Sequence, residues 1–140
     1  MKHETVNGIV SFLGGCAAFL LGGFDSLLIA LLVVMSADWI TGVLKALKKG
    51  KFSPVVGLWG MVNKIVSLIV VITVNFIQSG AGIALPLRET VVVMLLVNEG
   101  LSVLGNASAF VKGLEPLTKY FESVKVNVLK IFTVEGATND

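Results

Sequence analysis

The chain has 140 residues, 55% of them apolar and only 14% charged, with a mean hydropathy of +0.91. A soluble domain carries about 25% charged residues, and a sphere this small could not hide so much apolar surface from water. The excess must face lipid or other copies of the chain, which argues against a soluble enzyme. The net charge of +2 is too mild to indicate nucleic acid, and one cysteine (Cys16) and one histidine (His3) supply neither an intrachain disulfide nor a Cys/His metal cluster.

Four stretches approach the roughly 20 apolar residues that a membrane-spanning helix needs. The first, about 6–24, carries no charge and breaks at Gly22-Gly23-Phe24-Asp25. Because it is rich in glycine, three spans stand as the alternative to four. The second, about 26–47, leads into the turn Lys48-Lys49-Gly50-Lys51-Phe52-Ser53-Pro54. Pro54 suits the first turn of a third helix, about 55–77, which Gln78-Ser79-Gly80-Ala81-Gly82 ends. The fourth, about 86–104, opens on Pro86 and carries Arg88 and Glu89 in its first turns, where they read as anchors of that end.

Beyond Leu104 the pattern changes. Gly113 and Pro116 interrupt, and then Leu117, Phe121, Val124, Val128 and Ile131 recur at spacings of four, three, four and three. This predicts one amphipathic helix, too polar to span. It lies on the membrane surface, packs on a partner copy or forms a helical seam between subunits. The expected architecture is an all-α integral membrane protein, with a transmembrane domain over 1–106 and a cytoplasmic amphipathic tail over 107–140.

Lysine and arginine are retained on the cytoplasmic side of a membrane. With both ends inside, that side holds Lys2, the basic loop of Lys45, Lys48, Lys49 and Lys51, and the tail lysines; Arg88 alone falls outside. The opposite orientation would translocate the four-lysine loop. A bacterial inner membrane with both termini cytoplasmic is the expectation.

No phosphate-binding loop, Ser/His/Asp set or carboxylate cluster outside the membrane points to catalysis, and no cofactor or metal site is expected. The informative residues are ionisable groups inside apolar segments, which are costly in lipid and face protein or water. Asp38 and Lys64 each stand thirteen residues from Lys51 (38 to 51, 51 to 64). An antiparallel hairpin therefore brings them to similar depth, where they can pair. Such a pair is either a hairpin staple or a device for assembly or pore wetting. Asn98-Glu99 is the second intramembrane polar site; Glu99 either meets Lys64 or another subunit, or extends towards the cytoplasmic surface.

Small residues form another pattern. Gly14, Ala18 and Gly22 recur four apart beside Gly15 in the first segment, and Asp38, Gly42 and Ala46 recur likewise in the second. Such rows let helix backbones approach closely in lipid, within one chain or between subunits. Trp39 and Trp59 flank the basic loop, as interfacial aromatics do.

Asp38-Trp39-Ile40-Thr41-Gly42, then Ala46, a lysine-rich turn, Ser53, Gly57, Gly60 and Lys64 form an ordered run. It resembles the signature of the phage holin family that includes the clostridial toxin-secretion holins. Gly22-Gly23-Phe24-Asp25 and the stretch from Asn98 to Asn106, with its Asn-Glu-x-x-Ser-x-x-x-Asn order, extend the resemblance over most of the chain. It adds Gly57 and Gly60 to the packing positions. It implies a phage protein that oligomerises in the bacterial inner membrane at a set time and opens lesions, so that an endolysin, or in relatives a toxin, escapes. The implied partners are itself, the bilayer and, functionally, that passenger. Two other readings stay open: a small multidrug or solute exporter working as a dimer, with Glu99 or Asp38 as its binding carboxylate, and a non-pore membrane adaptor.

Overall fold

Glycine punctuates the apolar runs, and each break becomes a helix end. The computed structural model describes residues 2–121 and 123, and these form four long helices and a short fifth. The long helices are α1 (Lys2–Leu21), α2 (Ser26–Lys48), α3 (Pro54–Gly80) and α4 (Leu87–Ala107). A short helix, α5, begins at residue 115 and continues to the edge of the described residues. All four long helices are long and apolar enough to cross a membrane, so the count is four and not three. At about 1.5 Å per residue, helices of 20 to 27 residues match or exceed a hydrocarbon core of roughly 30 Å.

The helix ends follow from local chemistry. α1 begins earlier than its apolar run because the polar residues after Lys2 continue the helix, and it stops at Leu21 rather than at Phe24. Gly22 adopts φ +79°, which lets its N–H and that of Gly23 bond back to the carbonyls of Phe19 and Ala18. That pattern closes a helix with a left-handed residue, for which glycine carries no side-chain penalty. Gly50 ends α2 in the same way, its N–H bonding to the Leu47 carbonyl and that of Lys51 to the Ala46 carbonyl. Asp25 caps α2 by accepting from the Leu28 N–H at 2.8 Å, and Pro54 opens α3.

The topology is up and down, so α2 and α4 run parallel to each other and antiparallel to α3. α2 packs most extensively on α4, α3 covers both, and α1 lies against α3. Leu28, Leu31 and Met35 of α2, at helical spacing, meet Val71 of α3 and Val92 of α4 in a core that Leu21 closes from α1. Phe19 and Phe76 join α1 to α3 edge to face at 6.0 Å between centroids. The outward apolar side chains, such as Phe12, Val33, Ile65 and Met94, are exposed and suited to lipid. Hydroxyls on the spans bond to the carbonyl one turn back, as Ser36 does to Leu32 and Thr73 to Ile69, so no free donor faces hydrocarbon there.

Candidate intramembrane polar site

Where the apolar core ends, one turn past Met35, Leu68 and Leu95, the helices place three charges together. Lys64 Nζ of α3 lies 2.7 Å from Asp38 Oδ2 of α2 and 2.5 Å from Glu99 Oε2 of α4. All three side chains are largely buried. Asp38 is about 15 Å from Lys48 along its helix, and Lys64 about 15 Å from Pro54, so both sit deep within their spans. A lone charge there would be expensive, and one cation shared between two carboxylates on three helices offsets that cost.

The network extends towards the basic loop. Asn106 Nδ2 donates to Asp38 Oδ1 at 3.1 Å, and Lys45 Nζ donates to Asn106 Oδ1 at 3.2 Å and to the Gly105 carbonyl at 3.0 Å. Lys48 donates to the Ala109 carbonyl and stands 4.8 Å from the Phe110 ring centroid. Lys45 is therefore engaged by the end of α4 and Lys48 by the turn just after it, while Lys49 and Lys51 are exposed. Asn98 lies one residue from Glu99 on the exposed side of α4 and lines a cleft with Asp38 and Lys45.

The small residues divide into two groups. Gly42 faces Asn106, whose Nδ2 would lie 3.4 Å from an added Cβ, and Gly60 faces the Trp39 ring at 3.5 Å. Trp39 Nε1 donates to the Gly57 carbonyl at 3.2 Å, so this tryptophan staples α2 to α3. Trp59 is exposed, as a membrane anchor would be. Ala46 lines the same α2–α3 cleft as Gly57 and Gly60. Gly14 and Gly15, by contrast, have open space beside them, and Ala18 is half-buried on the same helix. The row on α1 makes no close helix approach within this chain at those two glycines.

A second polar site lies at the opposite end of the bundle. Arg88 does not anchor the rim as its position near Pro86 suggests: only 3% of it is exposed. Its Nε donates to the Leu21 carbonyl at 2.6 Å, one terminal nitrogen to the Gly23 carbonyl at 3.2 Å, and the other to Asp25 at 2.6 Å and to Glu89 at 3.3 Å. The last carbonyls of a helix lack intrahelical partners, and this guanidinium supplies them for α1. Gln78 accepts from the Arg88 backbone N–H, and Asn75 donates to the Leu20 carbonyl. The guanidinium and the Leu28 N–H together hold the Asp25 carboxyl below its ordinary pKa. Spacing in sequence gives no hint of this site; the signal is a single arginine at the end of the bundle where α1 stops on two glycines.

Of the tail positions, Phe121 is half-buried and lines the α2–α4 cleft, whereas Leu117 is 43% exposed. Val124, Val128 and Ile131 lie outside the described residues. Among the described residues no group of three or more His, Cys, Asp or Glu is placed to hold a metal ion.

Four apolar spans, three of them closed around an intramembrane charge triad, define a small multi-pass helical membrane protein. Residues 15–126 match the model of the Bacteriophage holin family, and the chain belongs to that family, whose members are not enzymes. It is 31% identical over 104 residues to an uncharacterized protein of Clostridium perfringens (strain 13 / Type A), covering 71% of this chain and 75% of that one. It is 33% identical over 106 residues to an uncharacterized 14.9 kDa protein in the nagH 3′ region of Clostridium perfringens, covering 73% and 77%. An uncharacterized protein of Listeria monocytogenes is 33% identical over 99 residues, covering 71% and 70%. No solved structure matches the chain.

Proposed function

We propose that this protein is a timed holin: it accumulates in the bacterial cytoplasmic membrane, oligomerises and opens lesions through which an endolysin or a secreted toxin passes. The observation that carries the reading is Lys64, bonded to both Asp38 and Glu99 between three spans. In a closed subunit the triad masks the intramembrane charges from lipid. A rearrangement that parts α3 from α2 and α4 would present the same charges to water, which favours a wetted opening. The triad also engages both carboxylates that an exporter would need for its solute, which favours the holin over that alternative. The lysine distribution supports an orientation with the basic loop and both termini on the cytoplasmic side. The asymmetric small-residue row on α1, open at Gly14 and Gly15, is the proposed contact between subunits.

Inducible expression in bacteria tests the function. Growth is expected to continue and then stop abruptly with loss of membrane potential, and co-expressed endolysin is expected to lyse the cells only from that moment. Normal growth with an intact potential at high membrane levels of the protein would overturn the reading. Dye-loaded vesicles separate the alternatives: a holin releases large dyes without a gradient, an exporter couples flux to protons, and an adaptor does neither.

A further inference from the structure

The polar face of α4 extends past the triad. Asn98, Ser102 and Asn106 follow one another four residues apart and so share one stripe of the helix. Opposite them, α2 sets Asp38 and Lys45, seven residues apart (38 to 45) and likewise on one stripe. Between these stripes runs a cleft of about 290 Å³, and Thr118 and Phe121 of α5 complete its wall. α5 is thus folded back along the bundle rather than extended from it.

The lining decides what the cleft holds. A buried water needs two to four polar partners and about 30 Å³ of liquid volume. A carboxylate, an ammonium, two amides and two hydroxyls supply those partners, and the space takes several molecules. The groove on the other side of Asp38, between α2 and α3, is about 200 Å³ and is walled largely by Trp39, Val43, Phe52 and Val56. That groove also touches Asp38, Lys64, Asn106 and Ser53, but most of its exposed wall is apolar. The exposed wall of the α2–α4 cleft is mostly polar, so the better-hydrated approach to Asp38 comes from α4.

We propose that the α2–α4 cleft is a hydrated vestibule, entered at the basic-loop end of the bundle, which carries water to Asp38 while the helices are still closed, and that α5 is its lid through Phe121. The proposal rests on the chain spanning a membrane and not on lesion formation, so either can fail alone. In a subunit built this way one side of the triad is already wet, and parting the helices has only the remaining side to hydrate.

Cysteine accessibility tests it. Ser102→Cys and Val97→Cys are each placed in the full-length chain on a Cys16→Ser background. Membranes are treated with a charged methanethiosulfonate before any change in permeability, both as inverted vesicles and as spheroplasts. Val97 is exposed on the outer side of α4, where lipid would keep a thiol protonated and unreactive. Ser102→Cys is expected to react roughly tenfold faster than Val97→Cys from the basic-loop face, since the thiolate needs water. Adding Phe121→Ala is expected to raise that rate further, and Phe121→Leu, which keeps the bulk, to restore it. Equal rates at the two positions overturn the vestibule. Reaction from the opposite face alone overturns its entrance, and a rate indifferent to Phe121→Ala, or raised equally by Phe121→Leu, overturns the lid.

Discussion

Asn106 Nδ2 donates to Asp38 Oδ1 at 3.1 Å, tying the last turn of α4 to the middle of α2. The other oxygen of Asp38 accepts from Lys64, so both carboxylate oxygens are satisfied and each serves a different helix. Lys45, Asn106, Asp38, Lys64 and Glu99 make one chain of hydrogen bonds across three spans. Its members are not equivalent. Lys64 is the one cation between two acids, and the acids are partly redundant.

That asymmetry yields the first prediction. Lys64→Met leaves two buried carboxylates facing each other, whereas Asp38→Asn leaves Lys64 bonded to Glu99. Removing one partner of a buried pair costs about 3–5 kcal/mol, and Lys64→Met is expected to fall in that range with Asp38→Asn well below it. The double variant should be milder than the sum of the singles, because part of each loss is the same bond. Unfolding of the purified protein in micelles, followed by circular dichroism, measures all three. Equal losses for the two singles, or strict additivity, would show that the triad does not act as one unit.

The pairing of Asp38 with Lys64 is legible in the sequence because a hairpin fixes register: equal distances from the turn mean equal depth. Glu99 is harder to place, since its partner depends on α4 returning parallel to α2, which no spacing encodes. Asn106 enters only through the family-like stretch that it closes. Arg88 is misleading, because an arginine near the end of an apolar run normally seeks the headgroups; here the open carbonyls of α1 draw it inward. The glycines of α1 show that something can approach closely but not what does. Regular apolar spacing likewise does not say which side of a helix meets its own bundle, and Phe121 and Leu117 of one stripe separate on this point.

Gly22 gives the second prediction. A Cβ there would lie 2.4 Å from Asn75 Oδ1 and 2.8 Å from Arg88 Nε, at a φ of +79°. Gly22→Ala is expected to loosen α1 by about 1–3 kcal/mol through backbone strain, with the clash adding to it. Gly14→Ala meets nothing within 4 Å and is expected to leave the subunit's stability nearly unchanged. Amide hydrogen exchange of α1 in lipid nanodiscs distinguishes them. Faster exchange in the Gly14 variant than in the Gly22 variant would contradict the Arg88 site as the tether of α1.

The third concerns acid. The Arg88 guanidinium bonded to Asp25 lowers its carboxyl pKa below the ordinary value of 3.8. A carboxyl whose pKa falls on folding contributes stability that is fully present above its unfolded value and is lost as pH falls through the folded one. Stability of α1 docking should therefore be insensitive to pH near neutrality, where Asp25 is fully ionised, and should decline below about pH 4. Asp25→Asn is expected to flatten that acid limb while lowering the neutral plateau, since Arg88 is buried and loses its anionic partner. Exchange rates of α1 measured from pH 3 to 7 give both numbers. An unaltered acid limb in Asp25→Asn would assign it to another group.

The tail gives the last prediction. Leu117 and Phe121 are four residues apart and would share a stripe on a free helix, yet Phe121 lines the α2–α4 cleft and Leu117 is exposed. Two interfaces are therefore distinguishable by one turn of α5. If α5 also joins subunits on the cytoplasmic side, Leu117→Asp places a charge in that contact and leaves the cleft alone. It should then weaken crosslinked oligomers and shift the time of lysis, while insertion and the labelling of Ser102→Cys stay unchanged. Phe121→Ala should do the converse first, opening the cleft before it alters oligomer size. Lys119→Arg keeps the charge and serves as a neutral control. Oligomers and lysis time unmoved by Leu117→Asp would leave α5 a feature of the single subunit, with the seam between subunits to be sought on the open glycine face of α1.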